Sequence, residues 1–255
     1  MDIFAAVGTI VGVGFILVAQ ALEGGNVGQL IQVTAAMIVF GGTLGATIAT
    51  FAPSDLMNAL EMIKYVWFPP KVNYAELIKE IVGFATKARK EGVIVLEKEA
   101  KSASDPLMTL GLEAVADGAD PSLVQGMMEN QINQLQEKVE GGAKVFESAG
   151  GYSPTLGIIG AVLGLIQVMQ NLSDPSSLGA GIAVAFVATI YGLFAANLLL
   201  IPMGTRIKLI YEKVFLSKEM MIEGVLAIQA GESPALIERK LRSFIIIDSA
   251  KSEEE

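Results

Sequence analysis

The residue types that most often carry chemistry in proteins are unusually distributed in this sequence. The 255 residues include no His and no Cys. A Ser-His-Asp triad, a His or thiolate metal site, a Cys nucleophile and a disulfide scaffold are therefore excluded. The sequence has 27 acidic residues, but four stretches contain no charged residue of either sign. They are 3–22, 24–54, 148–173 and 175–205. We find no nucleophile–base pair, metal cluster or phosphate loop, so we expect no enzyme and no cofactor.

Small residues at helical spacing form the most regular pattern in the last two uncharged stretches. One set is Pro154, Gly157, Ala161, Gly164 and Val168, and the other is Gly181, Ala185, Thr189, Gly192 and Ala196. Steps of three and four residues place each set on one helix face, where small side chains allow another helix to approach closely. That second helix could belong to a partner subunit or to this chain itself. The Thr189 hydroxyl could similarly face an ion path or bond its own backbone.

Two prolines bracket these stretches. Pro154 is predicted to begin the third span, where it could be an ordinary helix-start proline, and Pro202 to end the fourth. Pro202 cannot donate to the carbonyl of Leu198, so it weakens the helix there.

Length and composition identify the elements that hold these residues. The chain is 52% hydrophobic and 18% charged, with a mean hydropathy of +0.54. About 20 apolar residues of helix cross a bilayer. We therefore predict an all-α integral membrane protein with transmembrane helices near 3–22, 31–52, 152–172 and 179–203. The apolar pattern is continuous rather than alternating, which excludes a β-barrel, and the net charge of −9 argues against nucleic-acid binding.

The basic residues predict the orientation. Ten of the 18 Lys and Arg lie between Lys64 and Lys144, and eight between Arg206 and Lys251. The positive-inside rule places both segments, and hence both termini, in the cytoplasm. We predict residues 1–53 to hold spans one and two, 54–150 a cytoplasmic helical domain, 151–204 spans three and four, and 205–255 cytoplasmic helices with an acidic tail.

Residues that typically begin or end helices predict the helices outside the spans. An N-cap residue precedes Pro at Asp105, Asp120 and Ser233, and glycines typical of helix ends occur at Gly92, Gly118 and Gly231. The predicted helices are 54–67, 73–90, 93–102, 106–117, 121–150 running on into the third span, a continuation of the fourth span to about 230, and 234–245.

None of the four predicted spans contains Asp, Glu, Lys, Arg or His. Such residues usually mark proton relays and ion sites within membranes. The chain is therefore either a scaffold or one part of a machine whose membrane acid comes from another subunit.

Several motifs resemble the MotA/PomA family of flagellar stator proteins. They are Ser153–Leu165 with its glycines, Ala185–Phe194 followed by Pro202, Glu223–Gln229 followed by Gly231 and Pro234, and Ala88–Gly92 with Leu96 and Glu97. The resemblance covers essentially the whole chain in the same order.

The resemblance implies a function and partners. In that family a ring of five A subunits in the bacterial inner membrane surrounds two B subunits of the MotB/PomB type, which supply the membrane aspartate and a peptidoglycan anchor. Ion flow turns the ring, which pushes the rotor protein FliG. The implied pore-lining residues are Pro154, Gly157, Ala161, Gly164, Ala185, Thr189 and Pro202, and the implied FliG contacts are Arg89, Lys90 and Glu97.

Two alternatives and one ion preference accompany this resemblance. A ring subunit of the ExbB/TolQ type is the main alternative, although those relatives usually have three spans. A secondary transporter would need broken helices or polar clusters at mid-membrane, which the sequence does not show. Sodium-driven members typically carry Thr at the position matched by Ala161, so Ala161 favours protons.

Overall fold

All regular elements are helical in the residues that the computed structural model describes, 3–170 and 175–245. The α-helices are α1 (Ile3–Leu22), α2 (Val33–Ala36), α3 (Gly42–Thr50), α4 (Pro53–Trp67), α5 (Tyr74–Glu91), α6 (Leu96–Glu99), α7 (Pro106–Ala116), α8 (Pro121–Gln170), α9 (Pro175–Phe194), α10 (Ile201–Gln229) and α11 (Pro234–Arg242). The predicted all-α fold is confirmed. Residues 171–174, between the third and fourth predicted spans, and residues 246–255, which include the predicted acidic tail, lie outside the described residues.

Three continuous helical stretches are long and apolar enough to cross a membrane. They are Val33–Thr50, Pro121–Gln170 and Leu178–Gln229. The uncharged helix α1 has 20 residues. Its apolar part, Ala6–Leu22, is shorter than the three stretches above. The chain is thus a multi-pass membrane protein, and the assignment of α1 as a fourth span stays a prediction.

The chain packs as two compact units. Unit 1 consists of Met1–Pro69 and Lys138–Ile210, and unit 2 of Pro70–Glu137 and Tyr211–Glu255. The helices α8 and α10 run without interruption through the unit boundaries. The boundaries of the two units reflect packing, whereas the predicted boundaries at 53, 150 and 204 reflect the distribution of charge. The two sets of boundaries therefore differ. The membrane and cytoplasmic assignments of those segments stay predictions.

In unit 1, the helix α8 and the helical stretch that includes α2 both pack against α9. A small apolar cluster joins Ala35 and Val39 to Val187 and Ala188. A Cβ placed on Gly160 of α8 would lie 2.6 Å from the Ala188 Cβ and 3.5 Å from the Ile38 Cγ2. Glycine at 160 therefore allows α8 to contact both neighbours at once.

The two apolar helices that include α2 and α9 each contain a π-helical segment, Met37–Gly41 and Ala195–Leu200. The second segment ends immediately before α10, whose second residue is Pro202. Proline lacks an N–H and its ring collides with the carbonyl four residues back, so a locally wider helix accommodates it. The weak point predicted at Pro202 is therefore present as a π segment in an otherwise continuous helix.

The interpretation of Pro154 as a helix-start proline is wrong. Pro154 lies inside the 50-residue helix α8. Its missing N–H leaves the Gly150 carbonyl without the usual helical donor. Transmembrane helices tolerate such a proline because neighbouring helices and polar groups can satisfy the freed carbonyl.

Unit 2 is a helical core formed by α5, α6, α7, α10, α11 and the first part of α8. Its fully enclosed side chains include Ile81, Leu96, Met108, Met128 and Leu241. The amphipathic α11 packs against α5. A 2.5 Å ion pair joins Lys218 of α10 to Asp105 at the start of α7.

The predicted helix boundaries outside the spans are largely confirmed. Asp105, Asp120 and Ser233 each accept a hydrogen bond from a main-chain N–H in the following turn. Gly92, Gly118 and Gly231 have φ angles of 84°, 75° and 71°, which other residues rarely adopt.

The segment predicted as one helix at 93–102 is different. It forms a 3₁₀ turn (Val93–Val95), the single-turn α6 and a second 3₁₀ turn (Ala100–Ser102). Three consecutive β-branched residues begin it, which disfavours a regular helix.

Candidate functional site

The small faces of the third and fourth predicted spans pack against each other. A Cβ on Gly164 of α8 would lie 2.7 Å from the Gly181 carbonyl oxygen and 2.9 Å from the Ala185 main-chain nitrogen. A Cβ on Gly181 would lie 2.7 Å from Val168 Cγ2 and 3.1 Å from the Gly164 carbonyl oxygen. Neither position has room for a side chain, so glycine sets the close approach of these two helices.

The same contact continues toward the prolines. A Cβ on Gly157 would lie 2.9 Å from the Ala188 carbonyl oxygen, and one on Gly192 would lie 2.6 Å from the Ser153 carbonyl oxygen. Pro154 is only half-buried, with its Cα 3.1 Å from the same Gly192 position. Gly157, Gly164, Ala185 and Gly192 are all buried within the chain.

The open question about the stripes therefore has a structural answer for their glycines. Gly157, Gly164 and Ala185 pack the chain's own helices together, which is the simpler of the two interpretations. A contact between these residues and a partner helix stays a prediction.

Ala161 and Thr189 lie at the edges of this contact and are half-buried. The Thr189 hydroxyl donates to the Ala185 carbonyl at 3.1 Å, the usual bond of a hydroxyl in a membrane helix. Pro202 is exposed. Among the predicted pore residues, Ala161, Thr189, Pro154 and Pro202 are therefore the ones with surface that another helix could contact.

Large apolar side chains border this edge. Ile158 and Leu165 of α8, together with Phe186 and Leu193 of α9, are exposed. Asn197, also exposed, donates through its amide to the Leu193 carbonyl at 3.0 Å. The sequence analysis missed Asn197, although it is the one amide in residues 187–203.

The predicted rotor contacts lie together at the turn between α5 and α6. Arg89 and Lys90 are exposed in the last turn of α5, and Glu97 is exposed at the second position of α6. The buried Leu96 anchors α6 in the core of unit 2, and a 2.6 Å ion pair between Lys87 and Glu99 connects the two helices. The charged side chains are therefore presented by a fixed turn.

Two apolar residues at this turn were also missed. Val93 and Ile94 are 39% and 75% exposed, between the basic residues and Glu97. They directly follow Gly92, whose φ is positive, and helical periodicity alone does not reveal their exposure.

Comparison with known proteins decides the family. Residues 6–92 match the model of the Motility protein A N-terminal region, and residues 99–220 match that of the MotA/TolQ/ExbB proton channel family. Motility protein A of Helicobacter pylori is 34% identical over 96% of this chain and 95% of its own length. The chain belongs to the MotA/TolQ/ExbB proton channel family.

Solved structures agree with this assignment. The structure of C. jejuni MotAB matches with a TM-score of 0.91 and 29% identity, covering 97% of each chain. The flagellar MotAB stator complex from Bacillus subtilis matches with a TM-score of 0.89 and 29% identity, covering 98% of each chain. This member of the MotA/TolQ/ExbB family is thus similar to stator subunits along nearly its whole length.

Proposed function

We propose that this chain is the A subunit of a flagellar stator, which forms an ion channel with a B subunit and converts ion-motive force into torque. The observation that carries the proposal is similarity along nearly the whole chain to MotA-type proteins and to solved MotAB complexes. The match of residues 6–92 to the Motility protein A N-terminal model favours this assignment over an ExbB/TolQ-type subunit. The proposal includes no enzymatic activity.

The B subunit supplies the group that this chain lacks. The uncharged stretches contain no Asp, Glu, Lys, Arg or His, and a proton carrier at mid-membrane requires such a group. In the proposed complex, five copies of this chain surround two B subunits, each with a membrane aspartate and a peptidoglycan-binding domain. The complex lies in the bacterial inner membrane, with both termini and the segments 54–150 and 205–255 in the cytoplasm.

Complementation tests the proposal directly. The chain is expressed with a single-span, peptidoglycan-binding B subunit of the MotB type in a strain that lacks its stator genes, and swimming is recorded. We expect the pair to restore swimming and to co-purify, and the chain alone to restore nothing. A pair that assembles and supports some other ion-driven envelope process, but not swimming, would favour the ExbB/TolQ alternative.

The edge residues are the proposed contact with the B-subunit helices. Ala161→Leu adds bulk at the half-buried edge of the α8–α9 contact and should leave folding intact while it reduces co-purification of the B subunit. Ala49→Leu at an exposed position of α3 is the matched control. Normal B-subunit recovery with Ala161→Leu would show that the partner helices do not pass this edge.

We propose protons as the coupling ion. Ala161 provides no oxygen, whereas sodium needs several oxygen ligands to replace its lost water. The Thr189 hydroxyl donates to its own helix. Rotation at constant proton-motive force should continue when external sodium is removed and stop with a protonophore. Rotation that stops without sodium and resumes on its return would overturn this assignment.

The turn that carries Arg89, Lys90 and Glu97 is the proposed contact with FliG. Arg89→Glu should impair rotation without affecting assembly, and a compensating charge reversal on FliG should restore it. Lys79→Glu, an exposed position nearer the start of α5, is the matched control and should rotate normally. Equal rotation by the wild type and by a chain with Arg89 and Glu97 both reversed would exclude this surface.

A further inference from the structure

Two hydroxyl groups inside unit 1 are enclosed by protein and have no hydrogen-bond partner among the described residues. They are Ser153 Oγ on α8 and Thr43 Oγ1 on α3. Ser153 is 0% and Thr43 7% exposed. A buried hydroxyl without a partner is costly, and in most membrane helices it bonds a carbonyl of its own helix. Thr47 does so, donating to the Thr43 carbonyl at 2.7 Å.

Ser153 and Thr43 lie at nearly the same depth in the bundle. Gly160 of α8 contacts Ile38, and Leu156, earlier in α8, contacts Gly42, which is later in the chain than Ile38. The helix α8 therefore runs antiparallel to the helix that contains α3. Ser153 is seven residues from Gly160, and Thr43 is five residues from Ile38 in the same direction. At about 1.5 Å per residue, their levels differ by roughly 3 Å.

Both residues also face α9. Ala35, Val39 and Thr43 follow each other at four-residue steps on one helix face, and the first two pack against Val187 and Ala188 of α9. Ser153 meets α9 at Gly192, where its carbonyl oxygen lies 2.6 Å from the position of a Cβ. The two hydroxyls therefore approach the same part of α9 from two different helices.

At this level α9 and the π segment that follows it have small side chains and a carbonyl acceptor. Gly192, Ala195 and Ala196 are buried and have little or no side chain. The Ile201 N–H donates to the Ala196 carbonyl, five residues back, and the next residue is Pro202, which has no N–H for the Asn197 carbonyl.

The α8 side adds a second freed carbonyl. Pro154 deprives the Gly150 carbonyl of its helical donor, and a Cβ on Gly150 would lie 3.3 Å from the Ile201 main-chain nitrogen. The two hydroxyls and the two proline-released carbonyls therefore lie along one junction, in which α8 contacts α3 at Gly42, α9 at Gly192 and α10 at Ile201.

We propose that this junction is an internal water-binding site, in which an ordered water bridges Ser153 Oγ and Thr43 Oγ1. Each hydroxyl can donate or accept, and the freed carbonyls complete the two to four partners that a buried water requires. Ordered water is one of the means by which membrane helices satisfy carbonyls released by proline. The site contains no carboxylate, which suits a neutral ligand better than a cation.

A double-mutant cycle in the assembled complex tests the proposal through thermal unfolding. Ser153→Ala and Thr43→Val each remove one arm of the bridge, so each should lower the melting temperature by several degrees. The double variant should melt close to the less stable single variant, because the same water is lost only once. Thr47→Val is the matched control, since the Thr47 hydroxyl has its own partner, and its effect should add to that of Ser153→Ala.

Two results would overturn the proposal. An unchanged or raised melting temperature for Ser153→Ala would mean that the hydroxyl is unpaired and that its removal is harmless. Additive losses for Ser153→Ala and Thr43→Val would mean that the hydroxyls bind separately. If a variant does not assemble, a high-resolution map of the wild-type complex decides, because it must show density within hydrogen-bond distance of both oxygens.

Discussion

Replacing Gly164 with alanine should loosen the contact between α8 and α9. The added Cβ would lie 2.7 Å from the Gly181 carbonyl oxygen and 2.9 Å from the Ala185 nitrogen, where ordinary contact begins near 3.4 Å. Both obstructing atoms belong to the backbone, so no side-chain rotation can relieve the overlap. α9 has to move by roughly 0.5–0.7 Å, and overpacking of this kind costs about 1–3 kcal/mol.

Thermal unfolding of the purified complex measures this cost, with the fluorescence of the single tryptophan, Trp67, as one probe. At about 2–4 °C per kcal/mol for a chain of this size, Gly164→Ala should lower the melting temperature by roughly 2–12 °C. Gly126→Ala is the control. Gly126 lies on the same helix α8, and a Cβ at this position would have no atom of another helix within 4 Å. Its higher helix propensity should leave the melting temperature unchanged or raise it. Equal melting of both variants would refute the close contact.

Three further substitutions test other contacts. Tyr191→Phe removes a hydroxyl that donates to the Leu30 carbonyl at 2.5 Å and accepts from the Gln32 N–H at 3.1 Å, so the free energy of unfolding should fall by about 1–3 kcal/mol, measured by denaturation of the purified chain. Asp105→Ala should cost about 1 kcal/mol more than Asp105→Asn, because asparagine keeps the helix cap while both lose the charge that pairs with Lys218. The hydrogen bond to Glu223 raises the pKa of Lys240; burial lowers it by a smaller amount, and the hydrogen bond to Glu232 adds a further rise. The ion pairs of Lys240 thus stabilise the fold fully below the ordinary lysine pKa of about 10.4, and this stabilisation is lost as the pH rises through the raised pKa. The variant Lys240→Met should therefore show a smaller fall of the melting temperature at alkaline pH than the wild type.

Local sequence signals predict much of this fold because they act within a few residues. Asp120 before a proline, for example, begins α8, and Gly118 ends the preceding turn with a positive φ, as expected. Charge-free length predicts the apolar helices because the bilayer has a fixed thickness. The continuation of α8 into the third predicted span follows from the lack of any stop signal between its soluble and apolar parts.

The departures from prediction have different origins, and one arises where a neighbouring helix overrides local preference. Pro154 looks like a helix start in isolation, but α8 continues through it because packing against α9 holds both sides of the proline in line. The π segment at Met37–Gly41 has no proline after it and no signal that we recognise in the sequence. In the turn after Gly92, β-branched residues break a helix that charge and length alone would favour.

The small-residue stripes show why the candidate site was only partly predictable. Spacing places Gly157, Ala161 and Gly164 on one face, but lipid and protein are equally apolar, so no periodicity tells which helix covers that face. The structure divides the stripe by residue type. The glycines, which alone allow backbone contact, are used by α9, whereas Ala161 and Thr189 remain half-buried at the edge. We therefore predict that a partner helix meets α8 and α9 at this edge, where the size of residue 161 would set how closely it approaches without disturbing the glycine contact that joins the two helices.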